Sequence, residues 1–206
     1  MMSKPIKNII FDLGGVFLNI DFQLTNKAFI DLGVNGFNEM FTQHFSNPLF
    51  ELLETGKITD AEFYKAFRQE SKTTLTNAQI KTAWNALLLD FPAERIDWLQ
   101  QISKKYRIFL FSNTNQIHYD CFIEKFEKQY PGVDFDRLFI KAYYSQNLGL
   151  RKPYPASFQA ILDEQELEAR ETLFIDDTIK NVEAAQALGL QTIHLAHPLT
   201  VLDLSL

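Results

Sequence analysis

The chain has 206 residues, 46% of them hydrophobic and 22% charged, with a net charge of -6. That length supports one substantial core, or one core carrying a small insert, and the composition is that of a globular protein. No block of like charge offers a nucleic-acid patch, no run approaches the roughly 20 apolar residues of a membrane span, and the lone Cys121 excludes both a disulfide framework and a cysteine-built metal site.

The segment KNIIF at 7–11 is short, β-branched and apolar on both sides of the pleat, as a strand buried on both faces should be. It runs into one acid, Asp12, and then into Gly14 and Gly15. From 21 to 91 the pattern turns helical, with no convincing strand. Phe37, Met40, Phe41 and Phe45 recur at helical spacing, as do Ile80, Trp84, Leu87 and Leu88. Thr59 with Glu62, and Thr76 with Gln79, carry the capping-box pattern. An insert of this size cannot be a plain loop, so a small all-helical unit is predicted, with its phenylalanines as its core. Trp84 and Trp98 read as packing residues.

The buried-strand signature returns in RIFLF at 107–111, LFIKAYY at 138–144, TLFI at 172–175 and QTIHLA at 191–196. Helical patterns occupy 115–129, 156–167 and 178–188, the last closed by Gly189. This alternation predicts an α/β core, a Rossmann-like three-layer parallel sheet with helices on both faces. The core spans 1–20 and 92–206, and the helical unit spans 21–91.

In open parallel sheets, ligands bind beyond the carboxyl ends of the strands. Asp12 falls there. So do Ser112, Asn113 and Thr114 after the second core strand, and Asp176 and Asp177 after TLFI. Lys152, in LGLRKPYP, follows the third core strand by a loop. Asp12, Asp176 and Asp177 offer the hard oxygen ligands that magnesium takes, and three carboxylates so close repel unless a cation joins them. Gly14 and Gly15 let the backbone turn tightly and bring its N–H groups near a ligand. Ser112 or Thr114 can donate to a phosphate oxygen. Lys152 adds a point charge, and Pro153 biases it toward extended backbone.

Each residue also has a plainer reading. D-x-G-G is ordinary turn vocabulary, and paired acids suit a helix N-terminus. A lysine is usually solvated, and Ser112 and Thr114 could cap the next helix. His118 reads as a partly exposed structural histidine, and His44, His194 and His197 lack metal-ligand spacing. What lifts the set is joint delivery from four stretches to one sheet edge, which makes an anion pocket with a metal.

FDLGGV, FSNTN, LRKP and FIDDTIKNVEAA stand in the order and spacing of the four motifs of the haloacid dehalogenase-like hydrolases, and each follows its strand. The chain resembles that superfamily over nearly its whole length, and the helical insert resembles its cap. The wording of the first two motifs is most similar to the bacterial sugar-phosphatase branch, including a glucose-1-phosphate phosphatase. The resemblance implies a magnesium-dependent phosphomonoester hydrolase acting on a small phosphorylated metabolite such as a sugar phosphate. Asp12 would be the nucleophile, forming an aspartyl-phosphate. Mg2+ would be held by Asp12, the carbonyl of Gly14 and the Asp176–Asp177 pair, with Asp177 direct and Asp176 through water, or the reverse. Ser112, Asn113 and Gly14 would bind the phosphoryl group. Lys152 would pair with Asp12 and the phosphoryl oxygens. Asn181 would return one helical turn later to the metal shell.

The family's phosphatases usually carry an acid–base aspartate two residues after the nucleophile, and here Gly14 stands there. General acid–base catalysis supplies ~10²–10⁴-fold out of ~10⁶–10¹⁷-fold overall, so its loss slows an enzyme without abolishing it. A cap residue, His118, Asp21 or a metal-bound water could substitute. Gly14 argues against a phosphohexomutase, which uses that group twice. Dehalogenase members need no magnesium, whereas the Asp176–Asp177 pair is kept. Nothing marks Lys57, Lys65, Lys72 or Lys81 as the desolvated lysine of a phosphonatase. The rival readings are a catalytically silent binder of phosphorylated ligands or partners, favoured by Gly14, and a haloacid dehalogenase. The expected partner is a small-molecule phosphate ester, with no nucleic acid and no membrane, and monomer and dimer are both open. MMSKPIKN lacks a secretory h-region, so a reducing cytoplasm is the expected compartment.

Overall fold

The computed structural model describes residues 4–43 and 45–206, so His44 lies outside the described residues. Strands β1 (Asn8–Phe11), β2 (Phe41–Thr42), β3 (Phe45–Ser46), β4 (Arg107–Ser112), β5 (Lys141–Tyr144), β6 (Thr172–Asp176) and β7 (Gln191–His194) form two sheets. The larger is fully parallel in the order β5-β4-β1-β6-β7.

Its central strands are apolar throughout because they bury both faces. Ile9, Phe11, Ile108, Leu110, Leu173 and Ile175 point into one cluster, with helices α6 (Ala93–Ile102) and α7 (Gln116–Gln129) packed on it. Ile10, Phe109, Phe111 and Phe174 point to the opposite side, against α9 (Pro155–Glu164), which follows the short α8 (Ser145–Leu148), and α10 (Ile179–Ala187). Gly189 closes α10 at φ +88°, a conformation open to glycine, so the chain turns into β7 at once. The three-layer α/β architecture expected from the alternation is present, and the sequence-predicted strands each lie within a residue or a few of the observed ones.

Between β1 and β4 the chain builds α1 (Phe22–Asp31), α2 (Phe37–Met40), α3 (Pro48–Glu54), α4 (Asp60–Ser71) and α5 (Asn77–Trp84). These helices share a separate apolar cluster in which Phe29, Phe37, Phe50, Phe63, Phe67 and Trp84 are fully or almost fully buried. Trp84 is its hub, with the Phe41 and Phe50 rings 4.6 and 4.9 Å away. Both capping boxes form, at Thr59–Glu62 and Thr76–Gln79. The chain passes between the two packed regions along two crossing segments. There Asn19, Asp21 and Leu89 tie 19–21 to 87–90 by backbone bonds of 2.9 Å each.

Two expectations need correction. Phe37, Met40, Phe41 and Phe45 do not share one helix: α2 ends at Met40, and β2 and β3 make a short antiparallel hairpin. Phe41 turns inward onto Trp84 while Phe45 is 52% exposed, so their apolar spacing does not mark one buried face. Leu87 and Leu88 likewise leave α5 and pack under the main sheet with Phe91.

Candidate active site

The site follows from strand register. Phe11 pairs with Leu110 on one side and Ile175 on the other, so the next residue, Asp12, comes level with Phe111 and Asp176. The Asp12 N–H donates to the Ile175 carbonyl at 2.9 Å, extending that ladder by one rung. Parallel pairing thus sets Asp12, Ser112 and Asp176 at one edge.

Lys152 closes the set from a distant loop. Its Nζ donates to Asp12 Oδ1 at 2.6 Å and to Asp176 Oδ2 at 2.7 Å. The ammonium is buried, with the Phe111 and Phe174 rings beneath it at 5.2 and 5.4 Å. Burial opposes its charge, but the Asp12 and Asp176 carboxylates outweigh that and hold its pKa above the ordinary value. Its backbone is fixed as well: Asn113 donates to the Lys152 carbonyl and accepts from the Lys152 N–H, both at 2.9 Å. The Lys152–Pro153 bond is cis.

The two acids of the pair differ. Asp176 is fully buried and takes the Thr178 N–H at 2.7 Å and both bonds of the Asn181 amide at 3.1 Å. Asp177 is half-buried, bonded to Thr178 Oγ1 and to Gln43 Nε2 at 3.0 Å. His194 Nε2 donates to the Asp177 carbonyl at 2.9 Å. Carboxylate oxygens of Asp12, Asp176 and Asp177 lie within 4.8 Å of one another. Burial, then neighbouring acids, push Asp12 up to about 7 despite Lys152, and burial with Asp176 pushes Asp177 up to about 6. Three acids against one ammonium leave the cluster short of positive charge, and the donors are all hard oxygens, which fits a magnesium ion. Gly15 keeps the floor open: a Cβ there would lie 2.6 Å from Asp177 Oδ2.

These residues floor a cleft of about 350 Å³ whose roof comes from the helical unit. Its lining mixes apolar side chains, among them Phe22, Phe41, Leu87 and Leu88, with the polar Gln43, Ser46, Glu51, Glu54, Arg151 and Tyr154. Polar contacts cross between the two packed regions. Arg151 reaches Glu54 Oε2 at 3.0 Å and donates to Ser46 Oγ at 3.0 Å, while the Tyr154 hydroxyl donates to Glu51 at 2.8 Å.

The structure brings together Asp12, Gly14, Ser112, Asn113, Lys152 and Asp177 around this cleft, with Asp176 and Asn181 against its floor. Other expectations change. Helix α7 is capped by Asn115, whose Oδ1 accepts the His118 N–H at 3.1 Å, so neither Ser112 nor Thr114 serves as its N-cap. His118 is buried rather than partly exposed; it stacks on Trp84 at 4.4 Å and donates Nε2–H to the Trp84 carbonyl at 3.1 Å. Burial lowers its pKa to about 4, which keeps it neutral and removes it as the missing acid. Asp21 caps α1 through the Gln23 N–H at 2.8 Å and does not line the cleft. Lys57, Lys65, Lys72 and Lys81 are exposed and outside it. Sequence reasoning does not single out Gln43, Ser46, Glu51, Glu54 or Arg151: the first four sit on short helical-unit elements with no motif, Arg151 stands beside Lys152 in LRKP without a role of its own, and the contact between the two regions reveals them.

A family model for haloacid dehalogenase-like hydrolases matches residues 6–189. A D-ribitol-5-phosphate phosphatase of Bacteroides thetaiotaomicron is 32% identical over 190 residues, covering 91% of this chain and 90% of its own. A haloacid dehalogenase family enzyme of the same organism, crystallised with magnesium and inorganic phosphate, superposes with a TM-score of 0.88 at 34% identity, over 94% of this chain and 95% of that one. A structure described as a predicted HAD-like family hydrolase of Porphyromonas gingivalis matches with a TM-score of 0.83 at 33% identity, over 92% and 91% of the two chains.

Proposed function

Because the chain belongs to the haloacid dehalogenase-like hydrolases, we propose that its cleft is the active site of a magnesium-dependent phosphomonoesterase that works through an aspartyl-phosphate on Asp12. The observation that carries this reading is the buried Lys152 ammonium bridging Asp12 and Asp176, with Asp177 beside them.

Asp12 attacks phosphorus in line and the ester oxygen leaves; water then releases phosphate and restores the carboxylate. Lys152 orients Asp12 and neutralises charge gathering on the phosphoryl oxygens. Ser112 and the backbone at Gly14 hold the phosphoryl group, and Asn113 acts by fixing the Lys152 backbone. Asp12, the Gly14 carbonyl and Asp177 would hold magnesium, with Asp176 and Asn181 bracing the site from behind. The ion supplies charge neutralisation for the phosphoryl group when bound. Residues 21–91 act as a cap over residues 1–20 and 92–206, closing the cleft to bulk water.

The substrate class we favour is a small polyol or sugar phosphate. A phosphatase relative acts on D-ribitol 5-phosphate, and the polar lining residues Gln43, Ser46, Glu51 and Arg151 suit hydroxyl groups. No helix among the described residues is long and apolar enough to cross a membrane. We place the protein in the cytoplasm, where its unpaired Cys121 is at home.

Turnover of p-nitrophenyl phosphate and of a panel of polyol phosphates tests the reading. Activity should need magnesium and vanish in Asp12→Asn. Halide release from a 2-haloacid that survives a chelator would point instead to carbon–halogen hydrolysis, and no turnover at near-stoichiometric enzyme would leave a binder.

A further inference from the structure

The proposed reaction needs a proton for the leaving oxygen, and residue 14 cannot supply it. Gly14 has no side chain, and the place of a Cβ there is filled by Ile20, whose Cδ1 would lie 2.8 Å away. In-line displacement puts the leaving oxygen on the side of phosphorus away from Asp12. Asp12 stands at the sheet edge under a roof of helical-unit residues. The leaving oxygen therefore faces that roof, and its acid should come from there.

Among the described residues, the cleft-lining groups that ionise are mostly committed. Asp12, Asp177 and Lys152 belong to the charged cluster. His118 keeps its proton on the Trp84 carbonyl. Tyr154 is exposed and spends its hydroxyl proton on Glu51, which is thereby engaged at the rim. Arg151 donates to Ser46 Oγ, and Lys180 is exposed on α10, on the core rather than the roof. Glu54 is left. It ends α3, is 6% exposed, and lines the cleft from the roof side. No donor is directed at its Oε2, although Arg151 Nη2 stands 3.0 Å away.

We propose that Glu54 is the general acid that protonates the leaving oxygen and the general base that then activates water. In the first step Asp12 bonds to phosphorus, the phosphorus–ester oxygen bond breaks with its electron pair on that oxygen, and the Glu54 proton joins it to release the alcohol. In the second, a water oxygen bonds to phosphorus, the phosphorus–Asp12 bond breaks with its pair returning to the carboxylate, and Glu54 takes the proton that water loses. Glu54 is suited to exchange protons near neutrality: burial pushes it up to about 7, against Arg151 and with Glu51 adding to the rise, while Lys152 pulls it down. Among the described residues, these three are the charged groups that face it. The assignment rests on the phosphomonoesterase reading.

The test is kcat/KM with magnesium for p-nitrophenyl phosphate, a good leaving group, and for glycerol phosphate, a poor one. Glu54→Gln should lose ~10²–10⁴-fold on the alkyl ester and under ~10-fold on the aryl ester, because only the basic alkoxide needs a proton. Glu54→Asp, which keeps a carboxyl, should recover part of the alkyl loss. Equal losses on both esters overturn the assignment and make Glu54 a structural partner of Arg151. Should Glu54→Gln not fold, the wild-type pH profile decides. An alkaline limb on the alkyl ester that the aryl ester lacks supports Glu54, and matching profiles overturn it. Failure of the wild type to turn over either ester sinks the phosphatase reading, and the assignment with it.

Discussion

Asn113 and Lys152 grip each other backbone to side chain: the Asn113 amide donates to the Lys152 carbonyl and its oxygen accepts from the Lys152 N–H, both at 2.9 Å. A strand-end residue thereby sets where a loop lysine begins, and the lysine then crosses to Asp12 and Asp176.

Asn113→Ala should therefore injure catalysis without touching the acids. A misplacement of about 1 Å costs on the order of 10²-fold, so kcat/KM for an aryl phosphate should fall by roughly that factor. Magnesium affinity, measured by calorimetry, should stay within a few-fold. A large loss of magnesium affinity with intact turnover would contradict this role.

Gly15→Ala should damage the metal site instead. Gly15 sits at φ +72°, and an added Cβ would meet Asp177 Oδ2 at 2.6 Å. The backbone strain costs about 1 kcal/mol or more, and the displaced carboxylate should weaken magnesium binding by ~10–100-fold. Titration with magnesium, followed by melting temperature, checks both parts.

The metal-free protein should lose stability as pH rises. Burial is the largest cause of the raised pKa values of Asp12 (about 7), Glu54 (about 7) and Asp177 (about 6). A carboxyl whose folded pKa exceeds its unfolded value binds its proton more tightly when folded. Its contribution is complete below the unfolded value of about 4 and is lost as pH climbs through the folded value. Melting temperature without metal should thus fall between about pH 5 and about pH 8, and magnesium, which binds the ionised acids, should raise it more at the upper end. A magnesium shift that is the same at both ends would refute the link.

His118→Gln separates packing from chemistry. The side chain makes two buried hydrogen-bond contacts, to Asn115 and Trp84, and stacks on the Trp84 ring. Losing them should cost roughly 1–3 kcal/mol by denaturant unfolding. Turnover per folded molecule should stay within a few-fold, since the one N–H of the neutral imidazole is held by the Trp84 carbonyl. A selective collapse of kcat on alkyl esters would restore His118 as the acid.

The core was legible because each central strand is apolar on both faces, a pattern few alternatives share, and because Gly189 and the two capping boxes punctuate the helices locally. The hairpin at Phe41–Ser46 was not, since apolar residues three and four apart fit a helix as well as a turn whose rings diverge, one onto Trp84 and one to solvent. Asp12 and the Asp176–Asp177 pair were candidates because they follow strand ends, and Lys152 because it stands in LRKP. Glu54 and Gln43 could not, because nothing local distinguishes them from surface residues, and Arg151, though inside LRKP, gains its role only from Ser46 and Glu54 across the cleft.

The chain's own order of residues therefore determined the parallel sheet, the helical insert and the acids at one sheet edge, since burial pattern and strand ends are properties of short segments. Only the tertiary structure decided which side chains meet across the cleft. Whether Glu54 sits dry beside Arg151, whether Gln43 reaches Asp177, and whether His118 lies neutral beneath Trp84 all depend on how two separately packed cores are set against each other. Desolvation and distance, which set charge and reactivity, come into being only at that contact.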